Sequence, residues 1–158
     1  MSILLFRVDD RLVHGQVVIG WGRPLSAERV ILIDDAVAES GWEQDLYRMA
    51  APDGIEVDFA TLAEADTALP AWANESIRTI VLTGDLATMT ALQHAHPTLV
   101  ASINLGGIHH QPGRTEKLRY LYLGPEEQAS LSTLMDAGAK VTAQDLPTSP
   151  AVELKDLL

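Results

Sequence analysis

Seven short apolar runs rich in β-branched residues punctuate the chain: Ile3 to Val8, Arg29 to Ile33, Ile55 to Phe59, Thr79 to Thr83, Val100 to Leu105, Leu118 to Leu123 and Lys140 to Gln144. A strand that is apolar on nearly every residue is buried on both faces, as in a parallel sheet covered by helices. The stretches between the runs carry helical spacing, at Gly15 to Gly22, Ala36 to Met49, Thr61 to Trp72, Asp85 to His94 and Pro125 to Ala137. Pro125 with Glu126 and Glu127 suits a helix start, and Gly138 stands just past the end. Ser149 to Leu158 reads as a short helix lying on the body. No repeat, low-complexity tract or linker interrupts the pattern, so residues 1–158 are expected to form one domain. Alternating strands and helices imply right-handed crossovers. The expected fold is therefore α/β: an open twisted, mainly parallel sheet of about seven strands with helices on both faces.

In such sheets ligands bind beyond the carboxyl ends of the strands, where the strand order reverses. That directs attention to Asp9 to Gln16, Asp34 and Asp35, Gly84 and Asp85, Gly106 to Arg114, and Gly124. Composition narrows the chemistry. The 158 residues include 22 Asp and Glu against 11 Lys and Arg, a formal net charge of -11, and no Cys. Thiol nucleophiles, disulfides and thiolate metal sites are excluded. Scattered basic residues argue against nucleic acid as a partner, because such binding depends on counterion release from a basic face. The apolar start MSILLFRVDD has no basic residue before it and meets Arg7 and Asp9 at once, which fits neither a signal peptide nor a spanning helix. A soluble protein that stays inside the cell is expected.

The densest chemistry lies directly after the first run, where Arg7-Val8-Asp9-Asp10-Arg11-Leu12-Val13-His14-Gly15-Gln16 packs four charges, one His and one Gly into ten residues ahead of a helix. A plain structural reading has Asp9 and Asp10 capping the helix, Arg11 pairing with one of them, and His14 as an ordinary helix-terminal residue. The chemical reading places the His14 imidazole beside backbone N–H groups and the positive end of a helix, with Arg11 as a guanidinium fork for phosphate oxygens. With an ordinary pKa near ~6.5, most of an imidazole is neutral at cytoplasmic pH and nucleophilic. Two nearby carboxylates would repel an incoming phosphoryl group. Those of Asp9 and Asp10 are therefore expected to face away from it, bonded to backbone N–H groups or to Arg7 and Arg11.

The segment Arg7 to Val17, with Trp21 after it, resembles the active-site segment of enzyme IIB components of the mannose/fructose/sorbose family of the bacterial phosphotransferase system. A second, weaker match is Asn104-Leu105-Gly106-Gly107-Ile108 followed by Pro112-Gly113-Arg114-Thr115, and the length and alternation fit a whole IIB domain. The resemblance implies a phosphoryl carrier of the N(pi)-phosphohistidine–sugar phosphotransferase type. His14 would accept a phosphoryl group from a phospho-His IIA protein and pass it to a sugar held by membrane IIC and IID subunits. Arg11 and the backbone around Gly15 would hold that group, while Arg7, Asp9, Asp10, Gln16, Gly106 and Gly107 organise the loop or approach the phosphoryl site. It implies no metal and no cofactor, a cytoplasmic location at the inner face of the membrane through partner subunits, and compatibility with a homodimer. With the chain ending at Leu158, the IIA donor is expected on a separate protein or chain. Docking is expected at a local basic patch near Arg7, Arg11 and Arg114.

Other features of the chain offer competing chemistry. His94 with His96, and His109 with His110, suggest zinc, but residues two apart on a helix or adjacent on a strand point to different sides. His94 and His96 read as polar residues at a helix end before Pro97, and His109 or His110 is within reach of the His14 pocket. Gly106-Gly107 and Thr83-Gly84-Asp85 are strand-end turns, read equally as ordinary geometry or as backbone approaching a phosphoryl group. Asp34 and Asp35 close the second strand and cap the next helix, and Trp21, Trp42 and Trp72 are core or interface residues. Two other functional classes fit the same loop. One is a regulatory phospho-His protein not coupled to sugar transport, and the other is a small-molecule-binding α/β domain. The identity of the sugar is not written in this chain.

Overall fold

The computed structural model describes residues 1–158 apart from the side chain of Gln16. In chain order the elements are β1 (Ile3–Val8), α1 (Gly15–Val18), β2 (Arg29–Ile33), α2 (Asp35–Ala38), α3 (Gly41–Ala50), β3 (Glu56–Ala60), α4 (Leu62–Asn74), β4 (Thr79–Thr83) and α5 (Leu86–Ala95). They continue with β5 (Ser102–Leu105), β6 (Thr115–Leu118), β7 (Leu121–Leu123), α6 (Pro125–Asp136), β8 (Lys140–Ala143), β9 (Val152–Glu153) and a 3-10 turn at Leu154–Asp156. Seven strands pair in the order β3-β2-β4-β1-β5-β8-β9, parallel except for β9, which runs antiparallel to β8. This is the mainly parallel α/β sheet expected, with β1 between β4 and β5.

One member of the sheet differs from expectation. The run Leu118 to Leu123 is the end of β6, a tight turn and β7, which form a separate antiparallel hairpin. Ile108 anchors that hairpin, donating its N–H to the Tyr120 carbonyl and accepting from Tyr122, both at 2.9 Å. Its sheet position is taken by β9, from a segment expected to be wholly helical, of which only Leu154–Asp156 forms a helical turn. Two strands of three or four residues joined by a tight turn have the same apolar content as one strand, so periodicity does not separate them.

Alternation along the strands builds two cores. Ile31 and Ile33 of β2 face a core closed by α4, α5 and α6, while Val30 and Leu32 face a core with Val17, Val18, Trp21 and Val37. The covering layers are unequal. Three long helices lie on the first face. On the second, α1 is a single turn, shorter than the expected Gly15 to Gly22, and the expected Ala36 to Met49 helix breaks at Glu39 and Ser40 into α2 and α3. The break is stabilised locally: Asp34 accepts the Val37 N–H at 2.9 Å, and Gln44 donates from Nε2 to the carbonyls of Val37 and Ala38 at 3.0 Å.

Pro70 lies inside α4 without ending it. Proline lacks the N–H that would bond the carbonyl four residues earlier, which here is Asp66. His96 Nε2 donates to that carbonyl at 2.8 Å and also reaches Asp66 Oδ1 at 2.9 Å. The orphaned acceptor is thus satisfied across the helix pair, and His96 is accounted for as a structural residue.

Candidate functional site

Arg7 sits within β1 and is fully enclosed, a position that demands partners for a cation. Its Nη1 donates to Asn104 Oδ1 and, at 2.9 Å, to the Gln144 carbonyl. Its Nη2 donates to Asp9 Oδ2 at 3.1 Å and to the Asp145 carbonyl at 3.0 Å. The guanidinium lies 4.7 Å from the centroid of the Trp21 ring, and Trp21 Nε1 donates to the same Asp145 carbonyl at 2.9 Å. One buried cation therefore joins β1, β5, the segment after β8 and the chain after α1.

Asp9, equally enclosed, is the counter-charge. Its Oδ1 accepts from the Arg11 N–H at 3.1 Å and Arg11 Nε at 2.8 Å, and its Oδ2 accepts from Arg11 Nη2 at 2.7 Å. Arg11 Nη2 also reaches Asp145 Oδ1 at 3.1 Å. Burial alone pushes the Asp9 carboxyl up, but the bonds and charges of Arg11 and Arg7 outweigh it and hold the group below the usual carboxylate range. Burial lowers Arg7, opposed by Asp9, while the bond to Asp9 raises Arg11.

Two expectations are corrected here. Arg7 cannot belong to a docking patch with Arg11 and Arg114, because no part of it reaches the surface. The Nε–Nη2 edge of Arg11 does not stand open as a phosphate fork, because the enclosed Asp9 carboxylate takes it.

The two glycines after β5 make room for this bracket. A Cβ on Gly106 would come within 2.2 Å of Arg7 Nη2 and 2.3 Å of Asp9 Oδ2. One on Gly107 would stand 3.1 Å from Arg11 Nε. The Gly106 N–H donates to the Val8 carbonyl at 2.7 Å, so of the two readings of this turn the ordinary geometry holds for that N–H. At Gly84 a Cβ would meet Leu12 Cδ2 at 2.6 Å. Leu12 holds φ at 59°, a left-handed conformation that side chains rarely adopt, with its N–H on the Asp9 carbonyl at 3.0 Å. Asp85 caps α5 through the Thr88 N–H at 2.7 Å.

Beyond Leu12 the chain turns outward. His14 is exposed, and its carbonyl accepts from Val17 and Val18 at 2.9 Å, opening α1 at Gly15. A Cβ on Gly15 would meet nothing within 4 Å, so this glycine is not required by packing and leaves open space next to His14. The one-turn α1 aligns few peptide dipoles, so the helix end contributes less to an anion here than the longer expected helix would. The expected role of the Gln16 side chain lies outside the described residues.

Asp10 binds elsewhere. Its N–H donates to the Gly107 carbonyl at 2.8 Å, and its Oδ2 accepts the His109 N–H at 2.8 Å and a hydrogen bond from His109 Nδ1. That contact places the ring hydrogen of His109 on Nδ1. Arg114 Nη1 donates to the His109 carbonyl at 2.9 Å and Arg114 Nε to Glu127 Oε1 at 2.6 Å; the same oxygen accepts the Gly124 N–H at 3.1 Å. Asp10, Asp85, His109, Arg114 and Glu127 line a cleft of about 380 Å³. His110 meets Tyr122 edge-on at 5.6 Å.

Asp34 caps α2, as read from the sequence, and Asp35 Oδ1 instead reaches across to the Leu62 N–H at 2.8 Å. Among the described residues no three His, Asp or Glu gather as metal ligands, and no helix is long and apolar enough to cross a membrane. Trp21 is buried and Trp72 packs against a core, but Trp42 is exposed. Asp145 and Gln144 are members of the bracket that the sequence reading missed. The available signal was Arg7 itself, since a cation inside an apolar run needs acceptors at the ends of neighbouring strands.

The profile of the PTS system sorbose subfamily IIB component matches residues 3–158. The chain is 31% identical over 157 residues to the N-acetylgalactosamine-specific phosphotransferase enzyme IIB component 2 of Escherichia coli (strain K12), covering 99% of each chain. It is 28% identical over 158 residues to the PTS system sorbose-specific EIIB component of Klebsiella pneumoniae, covering 99% of this chain and 94% of that one. The crystal structure of the IIB domain of the sorbose permease from Klebsiella pneumoniae superposes with a TM-score of 0.87 at 28% identity, over 99% of this chain and 95% of that chain.

Proposed function

Because the chain belongs to the sorbose-subfamily IIB components of the sugar phosphotransferase system, and is thus a phosphotransferase component, we propose that it carries a phosphoryl group on His14. The donor is a phospho-His IIA protein, and the acceptor is a sugar held by membrane IIC and IID subunits. The observation that supports this reading is the placement of His14: it is exposed, with open space at Gly15 beside it, on a loop whose base Arg7, Asp9 and Arg11 fix.

Transfer from the donor breaks one N–P bond as another forms on the His14 imidazole, so little bond energy separates the two sides. Transfer onward forms an O–P bond to a sugar hydroxyl, whose proton leaves as the N–P bond breaks. Positioning and charge stabilisation are what the protein supplies. Arg11 and Arg7 bring positive charge close to the loop, and Asp9 balances it while fixing their place. The carboxylates of Asp9 and Asp10 are occupied by Arg7, Arg11 and His109, which limits repulsion of an incoming phosphoryl group.

The test is incubation with a phosphorylated sorbose-type IIA protein, followed by mass measurement of the intact chain at neutral and acidic pH. One acid-labile phosphoryl group, mapped to the peptide holding His14, is expected. A stable adduct, or one on another residue, contradicts the proposal.

A further inference from the structure

Exposed large apolar residues are not scattered over this molecule. Apart from Met1 and Leu158 at the chain ends, they are Ile19, Trp42, Leu46 and Met49. Ile19 directly follows α1, and the other three belong to α3, so all four lie in the layer that covers one face of the sheet. In α3 they are spaced i, i+4 and i+7, which puts them on one stripe of the helix. They are 68%, 54% and 81% exposed, and α3 has no buried residue. The helix nevertheless has an inner side: Tyr47 packs toward Phe59 with ring centroids 6.2 Å apart, and Gln44 ties it to α2. The outward stripe is therefore surplus to the fold.

Its rim is acidic. Residues 34–58 contain eight of the 22 Asp and Glu and a single basic residue, Arg48, which is engaged with Asp45 and the Phe59 ring. Like charge disfavours a second copy of this face as its cover. The cytoplasmic leaflet carries a negative surface potential, which disfavours a bare lipid surface. Cytoplasmic loops of membrane proteins, by contrast, are enriched in Lys and Arg. An apolar groove rimmed by such loops matches the stripe in hydrophobicity and opposes it in charge.

The position suits delivery of a group from His14. α2 and α3 follow the carboxyl end of β2, and the His14 loop follows the carboxyl end of β1, with one strand between them. Tyr47 of α3 packs toward Phe59, the next-to-last residue of β3, so the middle of α3 and the His14 loop lie toward the same end of the sheet. From these observations we infer that the stripe Trp42–Leu46–Met49, with its acidic rim, is the surface that docks on the basic cytoplasmic loops of the membrane sugar-transport subunits. This rests on the reading of the chain as a carrier that delivers to such subunits. It adds which face does so.

The experiment uses the full chain and inside-out membrane vesicles holding the sugar-specific IIC and IID subunits, with vesicles of the same lipids lacking those subunits alongside. Trp42→Glu, Met49→Glu and the charge reversal Glu39→Lys/Asp45→Lys are compared with the parent. All three change exposed positions, and unchanged thermal unfolding verifies the fold. Binding to subunit-bearing vesicles is expected to fall at least about tenfold in each variant and to weaken with salt in the parent. Phosphoryl uptake from the IIA donor is expected to stay within about twofold of the parent, since uptake draws on the His14 loop rather than the stripe.

Unchanged vesicle binding in the variants overturns the inference. So does a matching loss of uptake from IIA, which would assign the stripe to the donor. Binding of the parent to subunit-free vesicles would assign it to lipid, and a parent dimer dissolved by Trp42→Glu would assign it to a second copy. None of these results bears on whether His14 carries the phosphoryl group, and uptake that persists in His14→Ala would defeat that reading without touching the binding data.

Discussion

At the end of β1 and in the loop that follows it, residues 7–11 and residues 12–15 are built on opposite terms. In the first part the charged side chains of Arg7, Asp9 and Arg11 bond to one another and to Asn104, Gln144 and Asp145, far away in sequence. In the second, Leu12 takes a left-handed backbone, His14 is exposed and Gly15 borders open space. Charge thus fixes the base of the loop, and the proposed phosphoryl acceptor, His14, stands at its outer end. Side chains whose chemistry suggests phosphate binding serve first as framework, and a strained residue persists only where its surroundings over-determine it.

Breaking the base is expected to have the largest effect. Asp9→Ala removes the carboxylate bonded to the buried Arg7 and is expected to lower unfolding free energy by about 3–5 kcal/mol in urea titrations. A loss under ~1 kcal/mol would mean that Arg7 finds other compensation. Gly106→Ala forces a methyl into the same bracket and is expected to destabilise by about 1–3 kcal/mol or more in the same titrations.

Acid should dissolve the same bracket. The Asp9 pKa is lowered in the folded state, so its stabilisation is fully present above the unfolded carboxyl value near ~3.9 and is lost as pH falls through the folded value. Unfolding free energy measured against pH is expected to drop below about pH 4, and less steeply in Asp9→Asn.

At the edge between the two parts, His109→Ala removes the ring that holds Asp10 while changing an exposed side chain. Stability is expected to change by less than ~1 kcal/mol, and phosphoryl uptake to slow by about tenfold as the loop loses its position. His109→Asn, whose Nδ2–H can occupy the place of Nδ1–H, should recover most of the rate, whereas His109→Gln should not. Equal rates in all four proteins would remove His109 from the loop's support. The smallest stability effect is expected for Gly15→Ala, within ~0.5 kcal/mol by thermal unfolding. Any slowing of uptake there measures how closely the donor approaches that space.

The central strands were legible because β1, β2 and β4 are apolar on both sides, and their bounds match the runs read from the sequence. Elements set by tertiary contacts were not. The break between α2 and α3 depends on Gln44 reaching back, and β9 owes its conformation to pairing with β8. The loop itself stood out by its density of charge. Which charges face inward did not, because the acceptors of Arg7 at Gln144 and Asp145 lie 137 and 138 residues away. Gly106 and Gly84 were recognisable as turns, but the side chains that fill the space beside them, Arg7, Asp9 and Leu12, could be named only from the folded chain.

The most direct measurement takes His14→Ala and the parent through urea unfolding and phosphoryl uptake from the same preparations. Truncating this exposed side chain should leave the unfolding free energy within ~1 kcal/mol of the parent, while uptake disappears. Phosphoryl uptake that survives in a fully folded His14→Ala protein would contradict the account.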